Sequence, residues 1–190
     1  MKPVLKARHH WCFIQFKMNK KNILLLVSFL LFLAIIVQAW LVLPSLNNNV
    51  ITHFGAGGKA DGWSTKESFF WTQILLSLFI FLLMAGISLI IRKLPDSAVN
   101  IPNKAFWLSP ERRESTLDTI SFYINMINAA LLLFFFVLFR DLIEINFNGK
   151  NSLDANFWIA FLTFMIFTLG ITIRILTLFS SKGIEKGKHG

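Results

Sequence analysis

The chain of 190 residues is 55% hydrophobic with a mean hydropathy of +0.60, and its 19 Lys and Arg against 10 Asp and Glu give a net charge of +9. That apolar content exceeds the roughly 45–50% of an ordinary soluble domain and excludes a water-soluble core as the main organising feature. A single cysteine, Cys12, excludes an intramolecular disulfide, and the basic residues sit in short segments beside apolar runs, a pattern of membrane topology rather than of nucleic-acid binding.

Residues 1–21 form a basic segment with Lys2, Lys6, Arg8, Lys17, Lys20 and Lys21, in which His9 and His10 read as solvated and Met18 opens a second start-like stretch. The charge-free run Ile23–Leu43 follows. It is long enough to cross about 30 Å of hydrocarbon at about 1.5 Å per residue, and longer than the roughly 7–15 apolar residues of a signal peptide, so a retained span ending at Pro44 is expected. Next comes a glycine-rich stretch, His53 to Lys66, read as a tight outer loop with a turn signal at Asp61-Gly62. Ser64-Thr65-Lys66-Glu67 fits a capping box and predicts a helix starting just after Trp63 and running into a second charge-free run, Trp71–Ile91.

The segment Asn100–Arg113 brackets Phe106 and Trp107 between Pro102 and Pro110. Ser109-Pro110-Glu111 offers an N-cap with proline at the first helical position, predicting a helix that continues into the third run, Ile120–Phe139. The fourth run, Phe157–Phe179, carries Arg174 near its end, and residues 181–190 make a basic tail. The fold class is thus an all-α integral membrane bundle of four transmembrane helices. It divides into a two-helix unit over 22–117 and two further spans over 118–180.

Lys and Arg number fourteen in the N-terminal segment, second connection and tail, against four in the first and third connections. The positive-inside rule then places both termini in the cytoplasm and the His53–Lys66 loop outside.

Three groups of residues are candidate sites. In the outer loop these are His53, Phe54, Gly58, Asp61, Trp63 and Lys66. His53 and Asp61 are read as hydrogen-bonding the loop while Phe54 and Trp63 sit at the membrane interface; the alternatives are partner binding, or a metal or acid–base role. The glycine spacing fits neither a Rossmann nor a P-loop pattern, so no cofactor is implied. In the cytoplasmic segment, Trp107 is expected to anchor at the interface, with Arg112 and Arg113 meeting lipid phosphates and Asn103 and Glu111 flanking them. Within the membrane, Ser121, Asn125 and Asn128 share one helical face, and Asn125 and Arg174 fall at a common depth. That cluster reads either as interhelical hydrogen bonding with Arg174 reaching the interface, or as a polar pocket or proton path.

The pattern Leu43-Pro44, His53-Phe54-Gly55, Gly58, Asp61-Gly62-Trp63, then Ile101-Pro102-Asn103, Trp107, Pro110-Glu111-Arg112-Arg113 and Thr116 resembles a bacterial membrane domain family of unknown function. That domain also forms the N-terminal part of SdpI-like toxin-immunity and signalling proteins. The resemblance spans about residues 30–117 and implies a non-enzymatic protein, bound by the lipid bilayer, that recognises a peptide, toxin or envelope ligand at its outer face. Two other functions are weighed against it: a small transporter or metal-dependent membrane enzyme using His53 and Asp61, and a structural subunit of a membrane complex. The sequence sets no oligomeric state.

Overall fold

Hydrocarbon offers no partner to a backbone N–H or C=O, so an apolar run inside a membrane must satisfy its own hydrogen bonds as a helix. The computed structural model, which describes residues 20–180, has four helices long and apolar enough to span. They are α1 (Lys20–Val42), α2 (Lys66–Ile90), α4 (Arg113–Phe147) and α5 (Ala155–Phe179), with the strands β1 (Asn49–Phe54) and β2 (Ala60–Thr65) and the single-turn helix α3 (Lys104–Trp107) between them. Residues 1–19, with His9, His10, Cys12 and Met18, and the tail 181–190 lie outside the described residues.

The four predicted runs are all helical, but the third is far longer than its apolar stretch. At 35 residues α4 measures about 52 Å, against about 30 Å of hydrocarbon. No proline or glycine interrupts the chain between Pro110 and Gly149, so nothing stops the helix at the edge of the apolar layer. It therefore carries Glu114 and Asp118 in its first turns and Arg140, Asp141 and Glu144 near its last. Gly149, at φ +62, closes it: the Lys150 N–H reaches back to the Ile145 carbonyl at 3.1 Å.

Two helix starts differ from expectation. The N-cap of α2 is Thr65, the last residue of β2, whose hydroxyl accepts from the Ser68 N–H at 3.2 Å, while the Ser64 hydroxyl donates to the Thr65 carbonyl at 3.3 Å. Ser109 does not cap α4 with its side chain; its carbonyl accepts from the Arg112 and Arg113 N–H groups, both at 2.9 Å, and closes a turn ahead of the helix. Within that turn the Glu111 carboxyl lies below its usual range, held there by its own backbone N–H and by the Ser109 hydroxyl.

Helix α4 is the common partner. α1 and α2 pack on it and on each other, and α5 packs on it as well. Apolar side chains gain nothing by leaving lipid for one another, so close approach and hydrogen bonding hold such a bundle. The interior accordingly mixes Ile35, Leu132 and Phe139 with buried Ser28, Ser77, Ser88, Ser121, Asn125 and Asn128. Ser88 and Ser121 exchange hydroxyl-to-carbonyl bonds at 3.5 and 3.2 Å where α2 crosses α4.

The glycine-rich stretch is a two-stranded antiparallel hairpin rather than a loop, with β1 and β2 paired from Asn49↔Thr65 to Phe54↔Ala60. Asp61-Gly62 is not its turn. The chain reverses at Gly55–Lys59, where Gly58 takes φ +73, the left-handed region that a side chain disfavours. Asn146, near the end of α4, seats the hairpin: its carbonyl oxygen accepts from the Ile51 N–H at 2.8 Å, and its amide donates to the Ile51 carbonyl at 3.2 Å. Replacing Asn146 by Leu strips Ile51 of both partners. We expect a loss of about 1–3 kcal/mol and faster protease cleavage between Asn49 and Thr65, measured on purified protein in detergent.

Candidate functional site

The hairpin exposes one polar face. The His53 imidazole and the Asp61 carboxylate are 2.5 Å apart, with side chains 72% and 51% exposed. Two glycines make this approach feasible. A Cβ on Gly62 would stand 2.8 Å from the His53 Cβ, and one on Gly55 would stand 2.9 Å from an Asp61 carboxylate oxygen. Trp63, two residues beyond Asp61 and so on the same face of β2, is 53% exposed. His53, Asp61 and Trp63 thus share an exposed surface, and no third His, Cys, Asp or Glu joins the pair in a metal-sized group among the described residues.

The other outer-loop candidates face elsewhere. Phe54 packs against the core cluster built on Ile35, Val50 and Phe139, because the strand's alternation turns it inward from His53. Gly58 is buried beneath Leu153 and Trp158. Lys66 is half-buried as the first residue of α2. The turn is tied down through backbone bonds, Ala60 N–H to Asn151 carbonyl at 2.9 Å and Leu153 N–H to Gly58 carbonyl at 2.8 Å.

At the opposite end of the bundle, the segment between α2 and α4 turns inward. The last carbonyls of a helix need partners from outside it. Phe179, the last residue of α5, receives two: the Asn103 amide at 3.0 Å and the Trp107 indole N–H at 3.2 Å. Asn103 reaches it from the left-handed conformation, φ 53, which Asn tolerates better than most residues, and the Trp107 ring meets the Phe179 ring edge-on at 5.4 Å. Arg113, the first residue of α4, holds the turn just past α2, donating to the carbonyls of Arg92 at 3.3 Å and Leu94 at 3.0 Å and to the Asp96 carboxylate at 3.0 Å. Arg112 lies 4.2 Å over the Phe106 ring and bonds the Ser109 hydroxyl at 3.3 Å. Trp107 and these arginines, expected at the lipid surface, are bonded to carbonyls, a hydroxyl and ring faces of their own chain.

Asp118 is the residue that sequence reasoning missed. It accepts from Lys21 of α1 at 2.5 Å and from Arg92 just past α2, while Arg92 also bonds Glu114 at 3.0 Å. One carboxylate therefore joins three helices. Glu114 and Asp118 stand four apart on one helical face, and that spacing was the available signal.

Asn125 and Asn128 are buried as expected, but Arg174 does not join them. The Asn125 amide donates to the Lys21 carbonyl at 3.2 Å on α1, whereas Arg174 lies exposed on α5. Asn128 is fully buried with neither amide atom bonded, and the Gln73 carbonyl oxygen and Ser77 hydroxyl are likewise buried without protein partners.

Residues 29–76 match the model of a family described as Domain of unknown function (DUF1648), about a quarter of the chain. No curated protein and no solved structure matches. The matched stretch takes in most of α1, the whole hairpin and the first turns of α2. It ends before the Ile101–Thr116 segment. The chain is accordingly a multi-pass membrane protein similar, over that stretch, to a domain of unknown function.

Asp118→Asn removes the counter-charge that Lys21 and Arg92 share, leaving Arg92 with Glu114 alone, and should cost about 0.5–1 kcal/mol, read as a slightly lower melting temperature in detergent. Asn128→Leu removes both unbonded amide atoms while keeping the number and branching of the side chain's heavy atoms. It should leave the melting temperature unchanged or raise it.

Proposed function

We propose that this is a non-enzymatic protein of the bacterial plasma membrane, with both termini cytoplasmic, that recognises a peptide, toxin or envelope component through the outer face of its hairpin. The observation that carries this reading is the exposed His53–Asp61 pair beside Trp63 on a hairpin fixed to α4. An aromatic ring and an oriented charged or polar pair on a rigid support are what a recognition surface needs. Trp is frequent among the few residues that dominate binding energy, and a fixed backbone lowers the ordering cost of association. The match over residues 29–76 covers this hairpin, and the resemblance to SdpI-like proteins favours an immunity-like or sensor-like use of it.

Cells lacking the protein should become sensitive to a secreted peptide, and the intact chain should restore protection. Trp63→Ala should weaken ligand binding by about 2 kcal/mol, roughly thirtyfold, and His53→Ala should fail to protect fully. Full protection by both variants would remove the hairpin face from the function. Single cysteines at Thr52 and Lys59, labelled in intact cells by a membrane-impermeant thiol reagent, test the orientation. Reaction at both positions is expected, and reaction only after the cells are opened would place the hairpin in the cytoplasm.

A further inference from the structure

We infer that the groove between α1 and α5 is a binding site for one anionic glycerophospholipid, whose acyl chain fills the groove and whose phosphate is held by Lys20 and Arg174. This site shares no lining residue with the hairpin and does not depend on the function proposed for it.

The groove has a volume of about 490 Å³, within the roughly 300–1,000 Å³ of small-molecule sites. Its walls are Leu24 and Val27 of α1 and Phe164 and Phe167 of α5; its floor is α4, where Ala130 leaves room below Phe134. Nothing in this lining can bond a polar group except the Thr163 hydroxyl, so the occupant at this depth must be hydrocarbon.

Helical spacing sets what stands at the mouth. Lys20 is four residues before Leu24 and seven before Val27, directly below that wall. Arg174 is seven residues after Phe167, below the opposite wall, and Tyr123 is seven before Ala130, below the floor. The three also share a level. Phe134 stacks on Phe164 at 4.9 Å; from that contact Arg174 is about 15 Å along α5 and Tyr123 about 16 Å back along α4. The bond from Asn125 to the Lys21 carbonyl, 3.2 Å, brings the start of α1 to the same height.

Lys20 and Arg174 are both exposed, and neither side chain has an acidic partner among the described residues, unlike Lys21, Arg92 and Arg113. Arg174 is poorly placed to escape to water. Side chains lean towards the start of their helix, and for α5 that direction leads into the apolar layer. An anion brought to it is the alternative, and a lipid phosphate arrives at that depth with a chain for the groove attached. A helix from a second copy could fill the apolar part but would leave both cations unmatched.

The test uses the full chain, purified in detergent and titrated with phosphatidylglycerol or phosphatidylcholine of identical acyl chains under native mass spectrometry. One phosphatidylglycerol should be retained per chain, with a preference of about tenfold over phosphatidylcholine. The double variant Lys20→Gln, Arg174→Gln should bring the two lipids to equal retention. Arg174→Lys should keep part of the preference, and Ala130→Phe should reduce retention of both lipids. A melting curve on each variant separates loss of the site from loss of the fold. Equal retention of the two lipids by the unaltered protein, or a preference that survives in the folded double variant, would overturn the inference.

Discussion

A helix that ends near a membrane surface leaves carbonyls that lipid cannot bond, and the arrangement of this chain around its basic end follows from where those carbonyls find donors. The turn that follows α2 finds them in Arg113, the first residue of α4, and α5 finds them in Asn103 and Trp107, which lie in the connection between α2 and α4. The connection is therefore held twice, by Arg113 at the carbonyls of Arg92 and Leu94 and by Asn103 and Trp107 at the end of α5. Its apolar residues Val99 and Leu108 pack with Ile91 and Leu117, and the buried Thr116 hydroxyl bonds the Trp107 carbonyl at 2.8 Å. Asp118, just inside this layer, adds α1 to the same junction.

The opposite end is organised by a different device. There α4 runs past the apolar layer, and its projecting turn offers Asn146 as a surrogate strand edge, giving Ile51 the donor and acceptor that a third strand would have supplied. A two-stranded hairpin alone is marginal in water, so this anchorage is what makes its surface a fixed one. The geometry of the His53–Asp61 pair then depends on the absence of two methyl groups, at Gly55 and Gly62.

The spans were legible because a charge-free run of about twenty residues has few uses other than crossing lipid. Their ends were less so. Where a punctuating residue sits next to the run, as Pro44 does, the boundary came out close. In α4 the punctuation stands at Pro110 and Gly149, far outside the apolar stretch, and hydropathy alone stopped short at both ends. The Asp61-Gly62 pair is a favourable turn sequence, yet a glycine can be required by a neighbour's closeness as well as by backbone torsion, and the sequence does not distinguish these. The buried face of Ser121, Asn125 and Asn128 followed from helical period alone. Its separation from Arg174 depended on which side of α4 receives α5, and spacing carries no information about that.

The Asn146–Ile51 contact joins residues 95 apart in the chain. A ribosome delivers β1 and β2 long before the end of α4 exists, so during synthesis the hairpin must wait with two backbone groups of Ile51 unclaimed while two further helices are inserted. The α5 end is in the reverse position: Asn103 and Trp107 are already made when Phe179 emerges. Assembly of this protein would then finish at its two ends in opposite senses, one where an early segment waits for its anchor and one where a late helix meets a receptor already built.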